Sequence, residues 1–274
     1  MLRQSIFSLA TVSICTVVAG FAETWPPKLE RNTPMPTNPP PYLVDRPAVI
    51  PIDVGRQLFV DDYLLDETKG LTRVYNHPVK MFDGPVLWPE TPLELEEDVA
   101  RPHRFAPVCA ATSGGLWWDP VKKVFRLWYE AGWMKNLCYA ESKDGLTWEK
   151  SLLNPIFTKG TGGSWEQDRV GGCEVHPLPD GSWVMFYIGY SDIHTAHVGA
   201  AVSKDGVTQW RRLKANPIVK PTPDTFDASA CYKPSVVRDE ANNRWLLWYN
   251  GRNGKKGEYI GLVVKEGLDL GALE

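Results

Sequence analysis

Four acidic residues draw attention by their placing: Asp62, Asp168, Glu174 and Asp227. Glu174 follows the apolar run Val170-Gly171-Gly172-Cys173. Desolvation there favours a protonated carboxyl, the state a general acid needs. Asp62, Asp168 and Asp227 fall at or near the starts of similar runs. An ionised carboxylate in such a place can serve as base or nucleophile, or tune the acid. His176, Tyr232 and Lys233 interrupt the same kind of run. A charge there is costly unless it is paired or faces a wet cavity. Arg104 and Arg169 can hold an anionic group or neutralise nearby carboxylates. Trp133 and Trp165 offer ring faces for stacking. Structural readings stand beside each role. Asp61 and Asp62 fit a turn cap, Asp168 an ion pair with Arg169, Glu174 a pair with Lys233, and His176 a satisfied core histidine.

Composition narrows the classes. The chain has 274 residues, 43% apolar and 23% charged, with 12 Trp and 23 Pro. It can bury a core, and a formal net charge of −3 lacks the basic face that nucleic-acid binding needs. Residues 1–22 read as a secretory signal: Arg3 precedes an apolar stretch of roughly 15 residues, short of the ~20 that a membrane span needs. A secreted or periplasmic protein, off the membrane once the signal is cut, is the expectation. Residues 23–47 read as a proline-rich extended arm, and 48–274 as the folded domain. Cys109, Cys138, Cys173 and Cys231 remain after cleavage and are expected as free thiols.

The folded part repeats. Leu127-Trp128-Tyr129-Glu130 aligns with Met185-Phe186-Tyr187-Ile188 and Leu247-Trp248-Tyr249-Asn250, at spacings of 58 and 62. Ser142-Lys143-Asp144-Gly145 aligns with Ser203-Lys204-Asp205-Gly206 at a spacing of 61. Asn154-Pro155-Ile156 matches Asn216-Pro217-Ile218, and Cys109, Cys173 and Cys231 are taken as equivalent. Runs of β-branched and aromatic residues at strand length, punctuated by Asp-Gly turns, indicate strands. The expected class is all-β: a β-propeller of four-stranded antiparallel blades, five blades or alternatively four, with aromatics between the sheets. A first inner strand is expected over Leu58–Leu64. Recurrence of Asp144 and Asp205 assigns them to turns.

Arg56-Gln57-Leu58-Phe59-Val60-Asp61-Asp62-Tyr63-Leu64-Leu65, the Ser-x-Asp-Gly units, the Asn-Pro-Ile links and Tyr232-Lys233-Pro234-Ser235 give the chain a family likeness. It resembles the five-bladed propeller glycosidases, glycoside hydrolase families 32, 43, 62, 68 and 130, in particular secreted bacterial family 32/43-like proteins. The fructosidase signature Trp-Met-Asn-Asp-Pro-Asn-Gly is absent, and its Glu-Cys pair appears only reversed, as Cys173-Glu174. The resemblance implies a glycoside hydrolase acting on a poly- or oligosaccharide with paired carboxylates in the propeller funnel. Glu174 is then the acid. The base comes from the first blade, at Asp61 or Asp62. Asp168 tunes the acid, Asp227 stands in reserve, and Trp133 and Trp165 line subsites. Two alternatives share the fold: a glycoside phosphorylase, with Arg104, Arg169 and Lys233 on phosphate, and a non-catalytic carbohydrate-binding propeller. With no Gly-rich phosphate loop, His-Glu-x-x-His or Cys-x-x-Cys run, no cofactor or zinc is expected, and the funnel has room for a structural cation.

Overall fold

The computed structural model describes residues 47–50, 61–96, 107–254 and 257–271. The signal and almost all of the arm lie outside the described residues. The chain divides into two compact units, residues 1–79 and 80–274.

In the first unit, residues 61–64 form a turn where the end of an inner strand was expected. The reason is local. The Tyr63 N–H donates to the Asp61 carboxylate at 2.9 Å, and the Leu65 N–H to the Asp62 carbonyl at 3.1 Å. A short polar side chain that satisfies the backbone two residues on competes with strand pairing.

The second unit is nearly all β. Among the described residues its one α-helix, α1 (Pro92–Leu95), is a single turn. Three antiparallel meanders follow at the period read from the sequence. The first runs β1 (Cys109–Asp119), β2 (Val124–Ala131), β3 (Asn136–Ser142) and β4 (Glu149–Lys150), with β5 (Phe157–Thr158) also on β3. The second runs β6 (Arg169–Pro177), β7 (Trp183–Asp192), β8 (Thr195–Ser203) and β9 (Arg211–Arg212). The third runs β10 (Ala230–Asp239), β11 (Arg244–Arg252) and β12 (Tyr259–Glu266). A single parallel pairing, Ala230 with Ala196, joins the second and third. The described sheets are open.

The repeated motifs hold the meanders together. In the Ser-Lys-Asp-Gly turns, Asp144 accepts from the Leu146 and Thr147 N–H groups, and Asp205 from those of Val207 and Thr208. Asn154 bridges both backbone groups of Tyr139, and Asn216 those of Ala200, so a side chain continues the ladder where proline cannot. Packing between meanders is aromatic. Trp128, Tyr139 and Phe157 meet Val175, Met185 and Tyr187 in one cluster, and Phe186 meets Trp245, Leu247 and Tyr249 in the next. The Trp128 indole N–H donates to the Gly206 carbonyl at 2.7 Å, tying the first meander to the second. Cys109, Cys138, Cys173 and Cys231 are free thiols.

Candidate functional site

Each inner strand carries a bulge, and the bulges decide which side chains meet. Cys109 pairs with Ala131 and Cys231 with Gly251, but Gly189, the equivalent of Ala131 and Gly251, pairs with Val170. Val170 therefore stands in the place of the two cysteines, and Cys173 does not. The sequence alignment of Cys173 is three residues out of register. One row of the ladder is then Ala110 with Glu130, Gly171 with Ile188, and Tyr232 with Asn250.

All of this row but Asn250 borders a cavity of the second unit, about 610 Å³ in volume. Inner-strand starts supply Ala110, Gly171 and Tyr232, and β2 supplies Glu130. The β2–β3 and β7–β8 turns add Trp133, Met134, Ile193 and His194. Lys233, Arg252 and Glu258 complete a charged side.

Glu130 is buried. Burial raises its carboxyl above the usual range, against donation from the Met134 N–H at 2.7 Å and the Gly172 N–H at 3.3 Å. Gly171 permits this approach, since a Cβ there would lie 3.4 Å from Glu130 Oε2 and 3.2 Å from Met134 Cγ. Burial, reinforced by the Glu130 charge, raises the Tyr190 hydroxyl as well. Glu258 behaves oppositely. It is exposed, and the Tyr232 hydroxyl holds it below the usual carboxylate range. The Asn250 amide at 3.3 Å and the charges of Lys233 and Arg252 add to the effect. One wall thus carries a carboxyl biased toward the neutral form, another a carboxylate biased toward the charged form.

A second set of acids recurs away from the cavity. Glu94, Glu166 and Asp227 are buried, each beside the tyrosine of the second strand of its meander. Tyr129 donates to Glu94 at 2.8 Å and Tyr249 to Asp227 at 2.8 Å, while the Glu166 charge adds to the burial that raises Tyr187. Glu94 further accepts from the Glu90 and Thr91 N–H groups and from Lys150 at 2.8 Å. Burial alone would raise its carboxyl, yet these donors bring it down to about 2. Asp227 is likewise lowered, donation from Thr225, Tyr249 and Cys231 outweighing burial. An apolar residue precedes each acid: Leu93, Trp165 and Phe226. Gly189 faces Trp165 and Glu166, and Gly251 faces Phe226 and Asp227, where a Cβ would collide. The set is an architectural clasp, repeated once per meander.

The sequence-derived candidates separate accordingly. Tyr232, Lys233 and Trp133 line the cavity. Glu174 does not. Its two oxygens accept from the Val236 N–H at 3.1 Å each, Oε1 also meets His176 Nε2 at 2.7 Å, and Gly114 leaves space for its stem. His176 is wedged among Trp117, Phe186 and Trp245. Asp168 pairs with Arg169 at 2.6 Å, outside the lining. Trp165 stacks on Tyr187 with ring centroids 5.8 Å apart, and Asp227 belongs to the clasp. Asp62, in the first unit, pairs with Arg73 at 2.6 Å. Arg104 lies outside the described residues. Glu130 and Glu258 line the cavity too, and the sequence reading did not single them out. Glu130 had a signal: the aligned rows place it opposite Ile188 and Asn250, a break in the repeat. Among the described residues, no group of three or more His, Cys, Asp or Glu could hold a metal ion.

No protein-family model matches the chain. Over 152 residues it is 28% identical to the uncharacterized protein Rv1502 of Mycobacterium tuberculosis, a stretch covering 52% of this chain and 47% of that one. Uncharacterized protein MT1551, from another strain, matches to the same extent. The chain spans about half the length of these curated relatives. A solved structure described as a glycoside hydrolase is similar with a TM-score of 0.51 at 19% identity, covering 69% of this chain and 53% of that one. The likeness establishes a shared fold. Zg3597, a family 117 glycoside hydrolase of the marine bacterium Zobellia galactanivorans, gives a TM-score of 0.47 at 11% identity, over 58% of this chain and 57% of its own.

Proposed function

We propose that the chain is a propeller glycoside hydrolase, of five or alternatively four blades, that cleaves a poly- or oligosaccharide in this cavity. It is exported to the periplasm or beyond. Glu130 is the general acid and Glu258 its ionised partner. One observation carries the reading: two carboxyl groups border a single cavity, and their surroundings push them in opposite directions. Glycosidic cleavage needs that division of labour, a protonated carboxyl for the leaving oxygen and an ionised one for the sugar or a water. The shared fold supports the same class. In this mechanism Glu130 holds its proton because burial penalises the charge. As it gives the proton up, the Met134 and Gly172 N–H groups stabilise the carboxylate that forms. Trp133 and Met134 offer apolar surface to the C–H face of a sugar ring.

The test is turnover on a panel of aryl glycosides and oligosaccharides. Glu130→Gln is expected to lower kcat by about 100-fold to 10,000-fold. Glu258→Gln should do the same, with both variants folded. Activity within a few-fold of wild type in Glu130→Gln, or no hydrolysis of any panel member by wild type, overturns the reading.

A further inference from the structure

We propose that the cavity selects an acidic saccharide, a uronate whose carboxylate docks against Lys233 and Arg252. The inference rests on the carbohydrate reading above and names its substrate class.

Both cations lie against one ring. Lys233 Nζ lies 5.4 Å from the Tyr232 ring centroid, and the Arg252 guanidinium carbon 5.6 Å from it. Both border the cavity. Arg252 uses one nitrogen on the His194 carbonyl, at 3.1 Å, which fixes the side chain and leaves its other N–H groups for a ligand. Lys233 is exposed and, among the described residues, makes no ion pair or hydrogen bond. Glu258 offsets one of the two charges, and Glu130 is biased toward neutrality. The charged side of the lining therefore sets two cations against one carboxylate, Glu258. A neutral sugar leaves one cation uncompensated, and a carboxylate matches it.

The backbone adds an independent observation. Lys233 has φ of 51°, in the left-handed region that favours glycine, and Pro234 follows directly. It lies in the bulge between Tyr232 and Ser235. A long side chain strains that conformation, and glycine would not. Strain of this kind clusters at functional sites, and Lys233 carries it at the cavity wall. There it presents an ammonium to the cavity beside the aromatic ring.

Binding is measured by calorimetry on the full chain carrying Glu130→Gln, so that turnover does not consume the ligand. The probes are a panel of uronic-acid oligosaccharides, their methyl esters, the corresponding neutral oligosaccharides and inorganic phosphate. The acids are expected to bind at least about 10-fold more tightly than their esters or neutral counterparts. Lys233→Gly should remove most of that preference while keeping or raising Tm. Lys233→Gln, which retains the strain, should remove it without raising Tm. Equal binding of acids, esters and neutral sugars overturns the proposal. So does phosphate binding without uronate binding, or an undiminished preference in both Lys233 variants. Hydrolysis of neutral sugars alone would defeat this inference and leave the hydrolase reading standing. Uronate binding without any hydrolysis by wild type would do the reverse.

Discussion

Glu94, beside Tyr129, and Glu130, the next residue along β2, are both buried carboxyl groups, and their surroundings drive them opposite ways. Glu94 is lowered to about 2 by Lys150, Tyr129 and two backbone N–H groups. Glu130 is raised, because two backbone donors do not make good its lost hydration. The first belongs to a clasp whose counterparts are Glu166 and Asp227. The second stands where the other meanders carry Ile188 and Asn250. A repeated acid is saturated with protein partners and is spent on the fold. An acid that breaks the repeat and borders a cavity is left for a ligand.

That contrast can be broken by substitution. Glu94→Ala should cost most, about 3–5 kcal/mol in urea unfolding, because it removes the buried charged acceptor shared by Tyr129, Lys150 and two backbone N–H groups. A loss under about 1 kcal/mol would mean that the clasp is ornamental. Acid unfolding sharpens the same point. Glu94 has a lowered folded value, so its contribution is complete above the unfolded value of 4.5 and fades as pH falls toward 2. The fall corresponds to about 3 kcal/mol, and a Glu94→Gln chain should lack that part of the acid limb. Next comes Tyr249→Phe, which removes a hydrogen bond to the charged Asp227 and should cost about 1.5–3 kcal/mol. Gly251→Ala drives a Cβ into Phe226 and Asp227 and should cost about 1–3 kcal/mol. The smallest effect is expected from Glu174→Gln. One amide oxygen still accepts from the Val236 N–H, so stability should fall by about 1 kcal/mol and turnover stay within a few-fold of wild type. A hundred-fold drop in kcat would return the acid's role to Glu174.

Much of the architecture was legible. The Ser-Lys-Asp-Gly turns, the Asn-Pro-Ile links and the Trp-Tyr strands recur because their backbones need those residues. The site was less so, and the cause lies in the inner strand of the second meander. From the cysteine place to the next common ladder position, the chain runs Cys109 to Leu116 in β1, but Val170 to Val175 in β6 and Cys231 to Val236 in β10. In β6 Val170 holds the cysteine place and a cysteine falls three residues later, so matching cysteine to cysteine slid β6 by three residues. The slip put Glu174 at the cavity place that Gly171 holds. It also hid the likeness of Trp165-Glu166 to Phe226-Asp227, making Trp165 and Asp227 look available. Glu130 stood in a correctly aligned row, and the break there carried the information. Glu258 lies between β11 and β12, where the repeat offers no equivalent to compare.

The most direct test is the stability difference between wild type and Glu130→Gln, followed by chemical denaturation from pH 4 to pH 8. Below the ordinary value of 4.5 both folded and unfolded wild-type chains hold the proton, and the two proteins should be nearly equally stable. Above it the unfolded chain releases a proton that the folded chain keeps. Wild type should then fall progressively behind the glutamine variant as pH rises, while the variant remains inactive throughout. A glutamine variant that is less stable than wild type by a constant amount at every pH, or that keeps its activity, would place Glu130 among the clasp residues and contradict the account.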